Sequence, residues 1–217
     1  QSVSGPNGSA DTYTSVSAGQ YHVCALRDDG RLACWGSDYN QSVGGPNGSV
    51  EAYTSVSAGD YYTTCAVKIN GHLACWGYDY SQSVSGPNGS ADTYTTVSAS
   101  FYHTCAVQSD GRLKCWGYDY GQMVSGPSGS AEAYAAVSAG NNYSTCAVKR
   151  TGRLVCWGSD YSQSVSGPNG TTGLYGPALC DDASLCTTDV CDPATGCTHG
   201  SMSCDDGNAC TTDTCNV

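Results

Sequence analysis

The sequence predicts an all-β array of three-stranded units, each about 40 residues long, followed by a small disulfide-rich segment. Three observations carry this. Proline, cysteine and tryptophan recur every 40 or 41 residues, at Pro6, Pro46, Pro87, Pro127 and Pro168, at Cys24, Cys65, Cys105 and Cys146, and at Trp35, Trp76, Trp116 and Trp157. A fixed period of that length marks a repeat architecture. Gly, Ser, Thr, Tyr and Val dominate the units, and no segment sustains a 3.6-residue apolar period, so the units read as strands and turns. After Pro177 the composition changes, and Cys180, Cys186, Cys191, Cys197, Cys204, Cys210 and Cys215 repeat with a 24-residue period. The expected domains are therefore residues 1–177 and 178–217. The partner of Cys197 would fall four residues beyond Val217, so the second segment reads as truncated.

In the first unit, residues 13–17 form one strand, 21–26 a second and 31–35 a third, with first strands of the later units starting at Tyr53, Tyr94 and Tyr134. Asp28-Asp29-Gly30 fits a three-residue hairpin loop with Gly in the left-handed position. Ile69-Asn70-Gly71, Ser109-Asp110-Gly111 and Arg150-Thr151-Gly152 stand in the same place. With that loop, paired residue numbers sum to 58, and Cys24 lies opposite Cys34. The same arithmetic opposes Cys65 to Cys75, Cys105 to Cys115 and Cys146 to Cys156, close enough for four hairpin disulfides. A two-residue loop would oppose each cysteine to the wrong neighbour. Gly5-Pro6-Asn7-Gly8 and its equivalents read as turns. Asp38, Asp79, Asp119 and Asp160, one per unit beside a tyrosine, read as turn formers. No unit can bury both of its faces, so neighbours must stack or close radially.

Charge narrows the function. Lys plus Arg is 8 and Asp plus Glu is 19, a net charge of -11. Nucleic acid and anionic membranes want a basic face, so neither is an expected partner. No run of about 18 apolar residues exists, so membrane insertion is not expected. Fifteen regularly spaced cysteines point to an oxidising, extracellular or cell-surface setting.

The stretch S-A-G-x-Y-H-x-C-A-L-x-x-D-G-R-L-x-C-W-G at residues 17–36 recurs at 57–77, 98–117 and 138–158, with Gln at 41, 82, 122 and 163. It resembles the repeat of the regulator of chromosome condensation family. The resemblance implies a β-propeller, often seven-bladed, and the short units are most similar to secreted bacterial members. Four units are too few for seven blades, so the expectation is a propeller-like array whose units close on themselves, continue upstream or complete a ring with another chain. The family's nuclear exchange-factor role does not transfer to so acidic and cystine-rich a chain. The tail, with C-D-D-G-N-A-C-T-T-D-T-C at 204–215, resembles short cysteine-rich repeats of microbial and protist surface proteins. With so little apolar residue to bury, it implies a disulfide-stapled stalk.

No candidate catalytic residue emerges. His22, His72, His103 and His199 do not recur in every unit, and nearly every polar residue is repeated, whereas catalysis needs one asymmetric constellation. The expectation is a non-enzyme without cofactor. No C-x2-C pair suggests zinc, and Asp205-Asp206-Gly207-Asn208 is a weak candidate for calcium. Tyr39, Tyr80, Tyr120 and Tyr161 sit on equivalent loops, near Tyr78 and Tyr118. Repeated tyrosines offer contact area with a polar tip, suited to protein or glycan, or they pack between units. Asn7, Asn40, Asn47, Asn88, Asn142 and Asn169 are glycosylation acceptors by motif. The units are almost copies even at turn positions, and near-identical loops suit a periodic surface. The expected function is a secreted structural repeat protein that builds or decorates an extracellular filament, appendage or coat. Its partners would be copies of itself, other extracellular proteins or glycans. The alternative is a discrete propeller that binds a protein or glycan ligand. Loop diversity in the missing blades would separate the two: uniform loops favour assembly, and one divergent blade cluster favours a ligand site.

Overall fold

The computed structural model describes residues 10–141, 143–160, 164–165, 187–192 and 196–201, the last two stretches by backbone alone. Four three-stranded antiparallel sheets follow one another. The first holds β1 (Tyr13–Ala18), β2 (His22–Arg27) and β3 (Leu32–Gly36). The second holds β4 (Tyr53–Ala58), β5 (Thr63–Lys68) and β6 (Leu73–Gly77), and the third β7 (Tyr94–Ala99), β8 (His103–Gln108) and β9 (Leu113–Gly117). The fourth holds β10 (Tyr134–Ala139), β11 (Ser144–Lys149) and β12 (Leu154–Gly158). In the tail, β13 (Thr187–Asp192) pairs with β14 (Gly196–Ser201), with Cys191 opposite Cys197 in register.

The register of each central hairpin is the one a three-residue loop demands. Cys24 stands opposite Cys34, Cys65 opposite Cys75, Cys105 opposite Cys115 and Cys146 opposite Cys156. All four pairs are bridged. Gly30 closes its loop at φ +82°, a conformation that L side chains resist.

The core lies between sheets rather than within them. Leu26 and Leu32 of the first unit pack with Tyr53, Ala66 and Ala74 of the second. Val67, Leu73 and Val84 meet Tyr94, Val97 and Ala106 of the third unit, and Val107 and Leu113 meet Tyr134 and Ala147 of the fourth. Backbone amides stitch the same joints. Ser17 Oγ accepts from Ala58 N at 2.9 Å, Ser57 Oγ from Ala99 N at 3.0 Å, and Ser98 Oγ from Ala139 N at 2.9 Å. At the other end Tyr53, Tyr94 and Tyr134 N–H groups each donate to the loop glycine of the preceding unit at 2.8 Å.

The Gly-Pro-Asn-Gly stretches differ from the turns expected of them. Their equivalents form single turns of α-helix: α1 (Gly44–Gly48), α2 (Ser85–Asn88) and α3 (Ser125–Ser128). The proline sits in the first turn, where its missing N–H costs nothing. Asp38 Oδ1 accepts from Val43 N and Gly44 N, both at 2.9 Å, and Asp79 and Asp119 do the same in their units. The aspartates therefore cap the orphan amides that open each helix. Burial works against it, yet these bonds hold the Asp79 and Asp119 carboxyls below the ordinary range. Asn47 closes the arrangement, accepting from Cys34 N at 2.7 Å and donating to Cys34 O at 2.8 Å, and Asn88 treats Cys75 alike. A Cβ on Gly86 would lie 2.6 Å from Cδ1 of Trp116 in the next unit, and one on Gly126 equally close to Trp157. The helix thus bridges its own cystine to the neighbour's half-buried tryptophan.

Candidate functional site

In each sheet the first-to-second-strand loop and the segment after the third strand emerge at the same end. That end is lined with aromatic rings. Tyr21 stacks on Tyr62 with centroids 4.9 Å apart and planes at 15°, and meets Tyr61 edge-on at 5.7 Å. Tyr61 touches Phe101 at 4.3 Å, Phe101 touches Tyr102 at 4.4 Å, and Tyr102 touches Tyr143 at 4.4 Å. The rings therefore pass contact from the first unit to the fourth.

The tyrosines singled out by sequence join this array from the outside. Tyr39 leans on Tyr62 at 5.0 Å, Tyr80 on Phe101 at 5.4 Å and on Tyr102 at 5.7 Å, and Tyr120 on Tyr143 at 5.1 Å. Each reaches into the next unit, and Tyr39 and Tyr120 still expose about half their surface, at 53% and 52%. They both pack between units and face solvent. Tyr161 lies outside the described residues.

The inner loops supply aromatics the sequence reasoning passed over. Tyr21, Tyr61, Tyr62, Phe101, Tyr102 and Tyr143 all follow the Ser-Ala-Gly or Ser-Ala-Ser of the first strand. The signal was there, blurred by length: the loops of the second and fourth units are one residue longer than those of the first and third. The extra residue forces Tyr61, Tyr62 and Tyr143 to φ +49°, +71° and +57°. Non-glycine residues held there store strain, and such residues cluster at binding sites. Contact with Tyr143, then burial, pushes the Tyr102 phenol up to about 12. Burial, then the neighbouring phenols of Tyr61 and Tyr62, raises Tyr21.

Charge is segregated along the same axis. Every lysine and arginine of the chain, eight in all, falls in the stretches 27–31, 68, 112–114 and 149–153, around the hairpin turns. That is the end opposite the rings. There they pair with acids, Arg27 with Asp11 at 3.0 Å, Lys68 with Glu51 at 2.7 Å, Lys114 with Asp92 at 2.7 Å and Lys149 with Glu132 at 2.6 Å. The aromatic end holds Asp38, Asp60, Asp79 and Asp119 and no cation.

Where the four inner loops converge they surround a depression of about 530 Å³. Ala18, Gly19 and Gln20 come from the first unit, Asp60 and Tyr61 from the second, Phe101 and Tyr102 from the third, and Asn141 from the fourth. Ser100 ties the third unit's inner loop to the fourth's, donating to Gly140 O at 3.1 Å and to Asn141 Oδ1 at 3.4 Å.

Two histidines lie beneath this end, between units. Thr64 Oγ1 donates to Ser42 O at 2.7 Å, so His22 Nε2 must donate to Thr64 Oγ1, also at 2.7 Å. His103, Thr145 and Met123 O repeat the relay at 2.8 and 2.7 Å. Burial lowers both imidazoles, His103 to about 4, with Asp119 pulling the other way. Both are joint residues away from the depression.

The remaining candidate residues divide. Asn47 and Asn88 use Nδ2 to hold the cystine carbonyl, so a sugar there would compete with that bond. Asn40 is exposed at φ +51°. Asn7, Asn142, Asn169 and the Asp205–Asn208 stretch proposed for calcium lie outside the described residues. Among the described residues no three metal-binding side chains cluster, and no helix is long and apolar enough to cross a membrane.

Comparison with known proteins agrees with the geometry. The family model of the regulator of chromosome condensation (RCC1) repeat matches residues 13–41, 94–122 and 134–163. A model described as a Dictyostelium (slime mold) repeat matches residues 179–201 and 203–217. The second unit, outside those matches, builds the same three-stranded sheet. No curated protein matches the chain. Among solved structures, the ectodomain of the Physcomitrella patens receptor kinase CR4 superposes with a TM-score of 0.57 at 26% identity, over 70% of this chain and 42% of that one. The CRINKLY WD40 ectodomain of the Arabidopsis thaliana receptor kinase ACR4 gives 0.55 at 29% identity, over 70% and 55%. Prp20p of Saccharomyces cerevisiae gives 0.60 at 16% identity, over 74% and 48%, a likeness of fold alone. The chain thus spans about half the length of these structures.

Proposed function

We propose that this chain is a non-enzymatic binding module of an extracellular or cell-surface protein. It holds its ligand on the aromatic end of a propeller-like array of RCC1-type repeats. The carrying observation is the divergence of the inner loops. Gly19-Gln20-Tyr21, Gly59-Asp60-Tyr61-Tyr62, Ser100-Phe101-Tyr102 and Gly140-Asn141-Asn142-Tyr143 differ in length and chemistry, while the strands, cystines and helix caps around them are nearly copies. The repeat changes length only where the four units converge, whereas the hairpin loops at the far end vary in residue type but keep one length, so the inner loops form one asymmetric place on a uniform frame. The cystines favour an oxidising compartment, and likeness to two receptor ectodomains supports an extracellular setting.

A structural role in a filament, appendage or coat is the second reading. It is favoured by the outer tyrosines Tyr39, Tyr80 and Tyr120, which repeat with little change. One experiment addresses both. Unreduced protein is imaged by negative-stain electron microscopy, and its retention on extracellular matrix from the native source is measured beside a Tyr61→Ala/Phe101→Ala variant. Dispersed particles whose retention depends on the two rings are expected. Ordered filaments that form equally well with the variant would overturn the binding-module reading in favour of the structural one.

A further inference from the structure

We infer that the depression at the convergence of the four inner loops is a binding site for a neutral oligosaccharide, an inference that rests on the aromatic end being the contact face. Its size suits a short chain of sugar rings, since small-ligand sites commonly enclose about 300–1,000 Å³ and this one measures about 530 Å³. Its walls are the faces and edges of Tyr61, Phe101 and Tyr102. Aromatic rings pack against the C–H faces of pyranoses, where an apolar patch must meet an apolar patch between hydroxyls.

Its polar groups are Gln20, Asp60 and Asn141 with the phenols. A sugar hydroxyl both donates and accepts, and so do carboxamides and phenols. One carboxylate adds a strong acceptor for a pair of adjacent hydroxyls. Among the described residues no side chain pairs with the Asp60 carboxylate, and Gln20 and Asn141 are exposed at the rim, so the carboxylate, Gln20 and the Nδ2 of Asn141 face a ligand while Asn141 Oδ1 is held by Ser100.

Charge selects among sugars. Phosphorylated, sulfated and uronic chains need cations, and every Lys and Arg of this molecule lies at the far end. A basic peptide is the other ligand that an acidic, aromatic face could take. The ring spacing argues against it. Tyr61, Phe101 and Tyr102 touch one another at 4.3 and 4.4 Å, which leaves a continuous wall and no gap between facing rings to enclose an ammonium group. Pre-set geometry supports the site as well: Tyr61 is held at φ +49° and Ser100 ties Asn141, so little ordering remains to be done on binding.

The test uses the full, unreduced chain on an array of neutral oligosaccharides (β-glucan, chitin-type, mannan, galactan and fucosylated chains). Heparin, hyaluronan and an oligo-arginine peptide serve as controls, with titration calorimetry on any hit. At least one neutral series is expected to bind, with affinity rising over the first few sugars. Phe101→Ala should weaken it about tenfold or more, the loss of one stacked ring, and Asp60→Asn by a smaller factor. Arg31→Ala, at the opposite end, should bind as wild type. Near-ultraviolet dichroism and non-reducing electrophoresis verify that each variant is folded and bridged. Binding of heparin or of the arginine peptide in place of neutral sugars overturns the inference. So does silence across the neutral array. If silence accompanies loss of matrix retention in Phe101→Ala, the glycan assignment falls and the contact face stands. If Phe101→Ala is retained normally, both fall.

Discussion

Asn88 shows how much one side chain does here. Its amide satisfies both the N–H and the C=O of Cys75, each within 2.8 Å, and so fastens the helix that carries Gly86 to the hairpin whose cystine it borders. Asn88→Ala leaves both backbone groups without that partner and should cost about 1–3 kcal/mol. Asn88→Ser should cost less, because Ser128 stands at that place in the third unit and still accepts from Cys115 N at 2.8 Å. Urea unfolding of the two variants measures the difference, and equal losses would show the contact is not what anchors the helix. Asparagine-glycine by itself suggests a turn or a glycan acceptor. Nothing local distinguishes those from a clamp on a cystine thirteen residues upstream.

At the scale of elements, neighbouring sheets are joined by buried polar relays, and these respond to pH. His103 is held neutral by burial between β8 and β11, with its Nε2 donating to Thr145 and no partner on Nδ1 among the described residues. Its ordinary value of 6.5 falls to about 4 in the folded chain. Between those values the unfolded chain binds the proton and the folded chain does not. The stabilisation is therefore whole above about pH 6.5 and drains away as pH falls toward 4, by about 3 kcal/mol at the limit. His22 shifts in the same direction and adds to the slope. Denaturant midpoints at pH 7.5 and 4.5 should differ clearly in the wild type and less in His103→Gln, which can still bond Thr145. An unchanged difference would remove the imidazole as its cause. At the repeat position of His22 and His103 the second and fourth units carry Thr63 and Ser144: the array alternates in pairs, with the shorter inner loop on the histidine units and the longer loop on the partners.

Across the whole molecule, protection should follow position in the array. Each sheet is buried by its neighbours, and among the described residues the first and fourth sheets have one fewer. The valine that is 5% exposed in the third unit, Val97, is 70% exposed as Val16 in the first. Leu73 and Leu113 are buried while Leu154 is half-buried. Hydrogen exchange on the unreduced chain should therefore release β1 and β12 amides well before those of β5 and β8. Uniform protection from β1 to β12 would mean that something further covers the ends.

The amino-acid sequence by itself determined the all-β units, their three strands, the hairpin register and which cysteines face one another. These follow from short-range rules: loop length, alternation and a left-handed glycine act within some fifteen residues, and repetition states each of them four times. Only the tertiary structure decided what the repeats make together. That Gly-Pro-Asn-Gly winds into a helix depends on an aspartate before it, a cystine behind it and a tryptophan from the next unit, contacts that meet only once sheets are stacked. That Gln20, Tyr61, Phe101, Tyr102 and Asn141 line one depression depends on loops some forty residues apart converging at one end. That no cation shares that end follows from strand direction, which sends every hairpin turn the other way. Periodicity announced a frame; the proposed site lies where the period breaks, because a ligand is recognised by differences that a uniform lattice does not need.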